Sequence, residues 1–304
     1  MHLVITDIPA ADSAVRSALS GTPLPHLARL LADLQATQRI ELDDFAWAMP
    51  HEVLLARALS LSETATPWAA LQKQRTGTPC AWIHPVHWQV GMDHLTLNHP
   101  DALGFDETLS RQHFAVLAPF FAEVGIDLTW HEPLRWLATG EVFHNLPCAS
   151  LDRVVGRNID AWMPEAASPA GAQMRRLQNE VQMLLYNHPL TDAAQSAGRL
   201  PMNSFWVSGA GQLEALPSAP APTLERRLQA PVWQQDALTY RDAWQAIDAG
   251  PLAQLGAALD ASQPVTLSLC SDRVAQSFEV APASLSRKLM KLFSAPKADW
   301  SRWL

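Results

Sequence analysis

Between Gln178 and Gly211 the chain reads QNEVQMLLYNHPLTDAAQSAGRLPMNSFWVSGAG, where polar side chains, a helix stop and two glycines follow one another closely. At about 100° per residue, Met174, Leu177, Val181, Leu184 and Leu185 share one helix face. Glu180 falls on the flank of that face, while Met183 and Tyr186 make the far side apolar too. A helix with apolar groups on two sides is expected to be covered on both, and Asn179, Glu180 and Gln182 then need partners. The competing account is an ordinary Arg176–Glu180 pair at i, i+4, worth a few tenths of a kcal/mol when exposed.

Downstream, His188-Pro189 stops the helix, a polar turn follows, and Asn203-Ser204 leads into a strand that runs to Gly209-Ala210-Gly211. A glycine turn brings backbone N–H groups close to an anion or a carbonyl. The same residues would equally make a tight turn after a core strand. Asn179, Glu180, His188, Asn203, Gly209 and Gly211 are therefore the candidate ligand site. Glu180 and Asn203 would orient a polar ligand, His188 would donate or accept as pH dictates, and the turn would offer its N–H groups.

Other chemistries find little support. His84 and His87, three apart on an expected strand, point to opposite faces, and His94 and His99 are also an odd number apart. No HExxH, cysteine pair or Asp-x-Asp cluster completes a metal site, and no Gly-x-Ser-x-Gly elbow or phosphate-binding Walker loop occurs. Neither a metal nor a cofactor is expected. Cys80, Cys148 and Cys270 match no disulfide framework and read as reduced core residues. The twelve Trp are scattered without a repeat, as core anchors would be.

A net charge of −8 with no stripe of Lys and Arg argues against nucleic acid as a partner. No segment approaches the length of a membrane span, and the start MHLVITDIPAAD lacks a basic leader, so the expected address is the cytoplasm. With 48% hydrophobic and 17% charged residues, the chain has the make-up of a folded protein.

The elements that must position these residues alternate. Strands are expected at residues 2–6, 126–130, 134–138, 203–208, 265–269 and 274–280. Helices are expected at 11–19, 24–34, 51–61, 108–123, 174–187, 236–247 and 252–259, with a basic helix at 284–293. Residues 80–98 read as a hairpin turning at Gly91–Asp93, with Pro85 marking an edge or a bulge. The Pro-rich stretch 213–223 reads as a linker, and the aperiodic stretch 141–170 as a long loop or a crossing. The expected fold is α/β, a mixed sheet flanked by helices, in a single domain over 1–304 with two lobes meeting near 141–170.

Four segments carry a family resemblance, in the same order along the chain: IHPVHWQVGMDHLTL from Ile83, LRWLA from Leu134, VVGRNIDAWMP from Val154, and QNEVQMLLYNHP…LPMNSFWVSGAG. Together they resemble the RpfE-type regulatory proteins of bacteria, a family similar to cofactor-independent phosphoglycerate mutases. The resemblance implies a degenerate alkaline-phosphatase-like architecture. Members of that superfamily set a nucleophilic Ser or Thr beside two divalent metals held by Asp and His. By that pattern Asp7 would be a metal ligand and Thr22 or Ser20 the nucleophile. The later ligand groupings are missing, since Arg273 follows Asp272 and no His follows His188. His84 stands where the family has an Asp, and Leu190-Thr191 replaces Val-Asn. The resemblance thus implies a non-catalytic regulatory protein that binds a small polar or phosphorylated metabolite or a protein partner. Its alternative is a metal-dependent mutase-like or phosphatase-like enzyme working through Asp7.

Overall fold

The computed structural model describes residues 1–9, 13–92 and 94–280. The expected basic helix at 284–293, the start of the helix expected at 11–19 and Asp93 of the expected turn lie outside the described residues. In chain order the elements are β1 (His2–Ile5), α1 (Ala14–Ser17), α2 (Pro25–Asp33), β2 (Leu34–Glu41), α3 (Pro50–Ala58), α4 (Trp68–Gln72), β3 (Cys80–Val86), β4 (Trp88–Val90) and β5 (Leu95–Leu97). Then come α5 (Glu107–Glu123), β6 (Asp127–Glu132), β7 (Arg135–Thr139), α6 (Leu151–Val154), α7 (Pro169–Tyr186), α8 (Pro189–Ser196) and β8 (Ser204–Gly211). The chain continues through β9 (Thr223–Glu225), α9 (Gln229–Trp233), α10 (Ala237–Ile247), α11 (Ala253–Asp260), β10 (Thr266–Cys270) and β11 (Val274–Val280).

These elements form two units, one of residues 1–44, 49–59 and 219 onward, the other of 45–48 and 60–218. The 141–170 stretch lies inside the second unit, and the chain passes between units near residues 44–49, 59–60 and 218–219.

The first unit is a five-stranded mixed sheet in the order β2-β11-β10-β1-β9. β1 runs parallel to both neighbours, whereas β10, β11 and β2 are joined antiparallel. Leu3 and Ile5 of β1 pack with Leu27 and Leu30 of α2 and with Tyr240, Trp244 and Ile247 of α10. Pro25 opens α2 where a missing N–H does no harm. The helix has no local side-chain cap. Its first free N–H groups, of His26 and Leu27, instead donate to the buried Asp248 carboxylate at 3.2 and 2.8 Å, where the positive end of the helix dipole also favours a negative charge. The helix then passes directly into β2, whose LQATQRIE is too polar to be read as a strand and is fixed by pairing with β11.

The second unit holds an antiparallel sheet in the order β6-β7-β3-β8. One face packs on α5 and α7 through Ile83, Trp136, Phe205, Val207, Leu117, Phe121, Leu177 and Val181. Asp106 caps α5 by accepting from Leu109 N at 2.8 Å, and Gly125, at φ 76°, turns the chain out of it. One hydroxyl, Ser110 Oγ, accepts from the indole N–H groups of both Trp130 and Trp136, at 3.0 and 3.1 Å. The hairpin expected over 80–98 is divided. β3 joins the larger sheet, while β4 and β5 pair with each other as a separate ribbon. Pro85 is tolerated because β7 pairs with β3 only as far as Ile83, leaving Pro85 bonded to β8 on one side alone.

Candidate functional site

The six residues singled out in the sequence have separate surroundings. Asn179 is exposed on α7, and Glu180 is partly exposed beside it, with its carboxylate 2.8 Å from Arg176 Nε. The i, i+4 account of Glu180 thus describes its contact. His188 caps α8, its Nδ1 accepting from Leu190 N at 3.2 Å. The polar turn expected after His188-Pro189 is this helix, opened by Pro189 and closed by Gly198 at φ 66°. Asn203 completes a strand-like pairing with Trp88, accepting from its N–H at 2.7 Å and donating to its carbonyl at 2.9 Å.

The expected glycine turn is instead the end of β8, and all of β8 is buried. Gly209 has φ 60°, and a Cβ there would stand 2.9 Å from Trp68 Cβ and 3.1 Å from Ala69 N. At Gly211 it would stand 2.9 Å from Pro67 Cβ. The glycines let α4 lie directly on the strand. Glu180, His188 and Asn203 thus have three different partners, Arg176, Leu190 and Trp88, and the two glycines pack on α4.

β3 carries a second polar group. His84 is buried, with Nε2 2.8 Å from Ser208 Oγ and Nδ1 3.2 Å from the Leu134 carbonyl. Burial pushes its pKa down to about 3, Arg135 adds to the shift, and the Leu134 carbonyl and Asp152 oppose it. A Ser–His contact has the outline of a nucleophile and base, but a base for work near pH 7 needs a pKa near 7. This imidazole is too weak, and the contact serves to satisfy two buried polar groups.

Another polar grouping lies in the first unit, at the carboxyl end of β1. Open α/β sheets bind ligands where parallel strands end, and β1 has a parallel neighbour on each side. The chain leaves β1 through Thr6, whose N–H and hydroxyl reach the Glu225 carbonyl at 3.1 and 3.3 Å, and whose hydroxyl also donates to Asp7 Oδ2. Asp7 has φ 60°, uncommon for a residue other than glycine. Ile8 N then donates to the Cys270 carbonyl at 3.0 Å, tying this turn to the end of β10.

The charge of Asp7 is felt by its neighbours. Burial raises the Cys270 pKa, and Asp7 raises it further. Burial likewise pushes Tyr240 up to about 12, helped by Asp7 and opposed by the Trp244 indole and by Arg16. Arg16 is itself buried, with Nη1 donating to the Pro9 carbonyl at 2.9 Å. On β9, burial alone would raise the Glu225 pKa. Hydrogen bonds from the Arg227 guanidinium and backbone N–H outweigh it and hold the carboxyl below its ordinary range. Arg227 Nε lies 2.8 Å from Glu225 Oε1, and the arginine side chain keeps 45% of its surface exposed.

Of this grouping the sequence reading identified Asp7, through the family resemblance. Thr6, Arg16, Glu225, Arg227 and Tyr240 were missed. The available signal was the charged Glu225-Arg226-Arg227 directly after a Pro-rich stretch that reads as a linker. Of the two hydroxyls considered as nucleophiles, Thr22 donates to the Ala18 carbonyl at 3.4 Å and Ser20 is exposed. Among the described residues no three His, Cys, Asp or Glu side chains are grouped so as to hold a metal ion, and no helix is long and apolar enough to cross a membrane.

No family model matches the chain, and no curated protein matches its sequence. Two solved structures are similar over most of its length. A cofactor-independent phosphoglycerate mutase from Thermoplasma acidophilum DSM 1728 is 14% identical, with 93% of this chain and 90% of that one covered and a TM-score of 0.38. The PH0037 protein from Pyrococcus horikoshii is 11% identical, with 95% and 91% covered and a TM-score of 0.44. At these identities and TM-scores neither likeness assigns a function to the chain.

Proposed function

We propose that the protein is a cytoplasmic regulatory protein that binds a small phosphorylated or carboxylated metabolite at the carboxyl ends of β1, β9 and β10, without transferring a phosphoryl group. The observation that carries this reading is the Thr6-Asp7 turn. A carboxylate sits on a left-handed residue at the end of the strand with two parallel neighbours, beside a buried hydroxyl, and an exposed arginine stands two residues beyond the end of the neighbouring β9. Left-handed residues cluster at ligand sites, where the surrounding structure holds them in place. In this reading Arg227 turns its free N–H groups to the anionic group of the ligand. Asp7, which would repel an anion, accepts from a ligand hydroxyl. His188, Asn203, Gly209 and Gly211 serve internal bonding and packing.

The hydroxyls support a reading without transfer. Thr6 meets Asp7 but is fully buried, out of reach of a phosphate ester. The Thr22 hydroxyl, in the turn that follows α1, donates to the Ala18 carbonyl.

The test is a thermal-shift screen of small phosphorylated and carboxylated metabolites, since a ligand that favours the folded state raises the melting temperature. The expected result is a shift with at least one metabolite that is lost in Arg227→Ala and Asp7→Asn proteins of normal fold. Turnover of phosphoglycerates or a generic phosphate ester with Mn²⁺ supplied, abolished by Asp7→Ala, would overturn the reading in favour of the mutase-like or phosphatase-like enzyme.

A further inference from the structure

β6 is the outermost strand of the second unit's sheet, paired with β7 on one side. Among the described residues no other backbone segment hydrogen-bonds to its outer side. An open edge of this kind is a template for another strand, and proteins that must stay single guard it with charged residues, above all lysine, with proline, or with a bulge. Asp127-Leu-Thr-Trp-His-Glu132 contains no lysine or proline, its carboxylates stand at its two ends, and its bulge falls after Trp130. Its side chains alternate strictly, with Asp127, Thr129 and His131 exposed, and Leu128 and Trp130 turned partly inward. The ladder to β7 slips between Trp130 and Glu132, which leaves His131 without a partner residue in β7; its ring stacks on Trp82, with 5.1 Å between centroids, on the face that carries Thr129.

The order of these residues is self-complementary about Thr129. If two copies of β6 meet antiparallel with Thr129 facing Thr129, Asp127 of one stands opposite His131 of the other. Leu128 then stands opposite Trp130. Directly opposed residues lie on the same face, so a carboxylate meets an imidazole outside and an aliphatic group meets an indole inside. A shift of one residue would put the exposed set on the buried face, and a shift of two would set Thr129 opposite Asp127 or His131 and lose the charge pair. The arrangement is two-fold symmetric, as a closed dimer requires.

We propose that β6 is a dimerisation edge, pairing antiparallel with β6 of a second copy about Thr129 and joining two four-stranded sheets into one. The interface is small, so the dimer is weak and forms reversibly with concentration. The experiment is sedimentation of the full chain over a range of concentrations, with oxidative cross-linking of single-cysteine additions at exposed positions. The expected result is dimer at about 100 µM that dissociates on dilution. Thr129→Cys cross-links chain to chain beyond the wild-type background, whereas Asp127→Cys does not, because two Asp127 residues are far apart in this register. Thr129→Lys, with an unchanged circular dichroism spectrum, weakens association at least tenfold. A monomer at every concentration overturns the proposal. So does a dimer indifferent to Thr129→Lys, or one cross-linked equally at both positions.

Discussion

His84 is held neutral inside a sheet, and this makes stability depend on pH in a defined direction. Its folded pKa is about 3, against about 6.5 for an imidazole in an unfolded chain. Between those values the unfolded chain takes up a proton that the folded one refuses. The stability is therefore complete above pH 6.5 and declines as pH falls toward 3, by up to about 1.4 kcal/mol per unit from this group. Urea denaturation from pH 7 to pH 5 should show wild type losing more stability than His84→Asn, whose amide does not titrate. Equal slopes would mean that another group governs the decline. Spacing alone sent His84 and His87 in different directions, and they do bond differently, His87 Nδ1 lying 2.7 Å from the Pro201 carbonyl. Spacing could not show that Ser208, more than a hundred residues away, was the partner of His84.

At the scale of elements, Gly209 is the position where β8 and α4 constrain each other most. Gly209→Ala adds a left-handed alanine and a methyl group 2.9 Å from Trp68 Cβ. The expected loss is about 2–4 kcal/mol, the sum of backbone strain and overpacking, read as a lower urea midpoint. A loss below about 0.5 kcal/mol would show that α4 moves aside freely. Elements with strong periods were legible: α5, α7, β10 and β11 lie within a few residues of their expected places. β2 was not, because exposed Gln38 and Arg39 leave no alternation and its state is decided by β11. α8 was missed for a related reason. His188-Pro189 does end α7, but the same proline also begins the next helix. The candidate site was hardest to see because Asp7, Glu225 and Cys270 are distant in sequence and adjacent only once parallel strands form.

On the scale of the whole molecule, the second unit is one nearly continuous stretch, 60–218, whereas the first is assembled from three pieces. The fragment 60–218 should therefore fold alone, giving a cooperative urea transition. It lacks the Ala48 carbonyl that accepts from Arg153 Nη2 and the Ala46 carbonyl that accepts from Trp162 Nε1. Those lost bonds should make it about 2–4 kcal/mol less stable than a fragment that keeps residues 45–48 joined to it by a short linker. A fragment with no cooperative transition would show that the unit depends on the rest of the chain.

The pairing of β1 also bears on how the chain leaves the ribosome. Its apolar Leu3, Val4 and Ile5 are made long before their strand partners, residues 223–225 and 266–269. At about 5–20 residues per second, β1 waits on the order of ten seconds or more for a neighbour. Through that interval the second unit is completed while the sticky first strand stays unpaired. The nascent chain is thus exposed to capture by a chaperone at this strand, and slowing translation between residues 60 and 218 would lengthen the exposure without changing the finished fold.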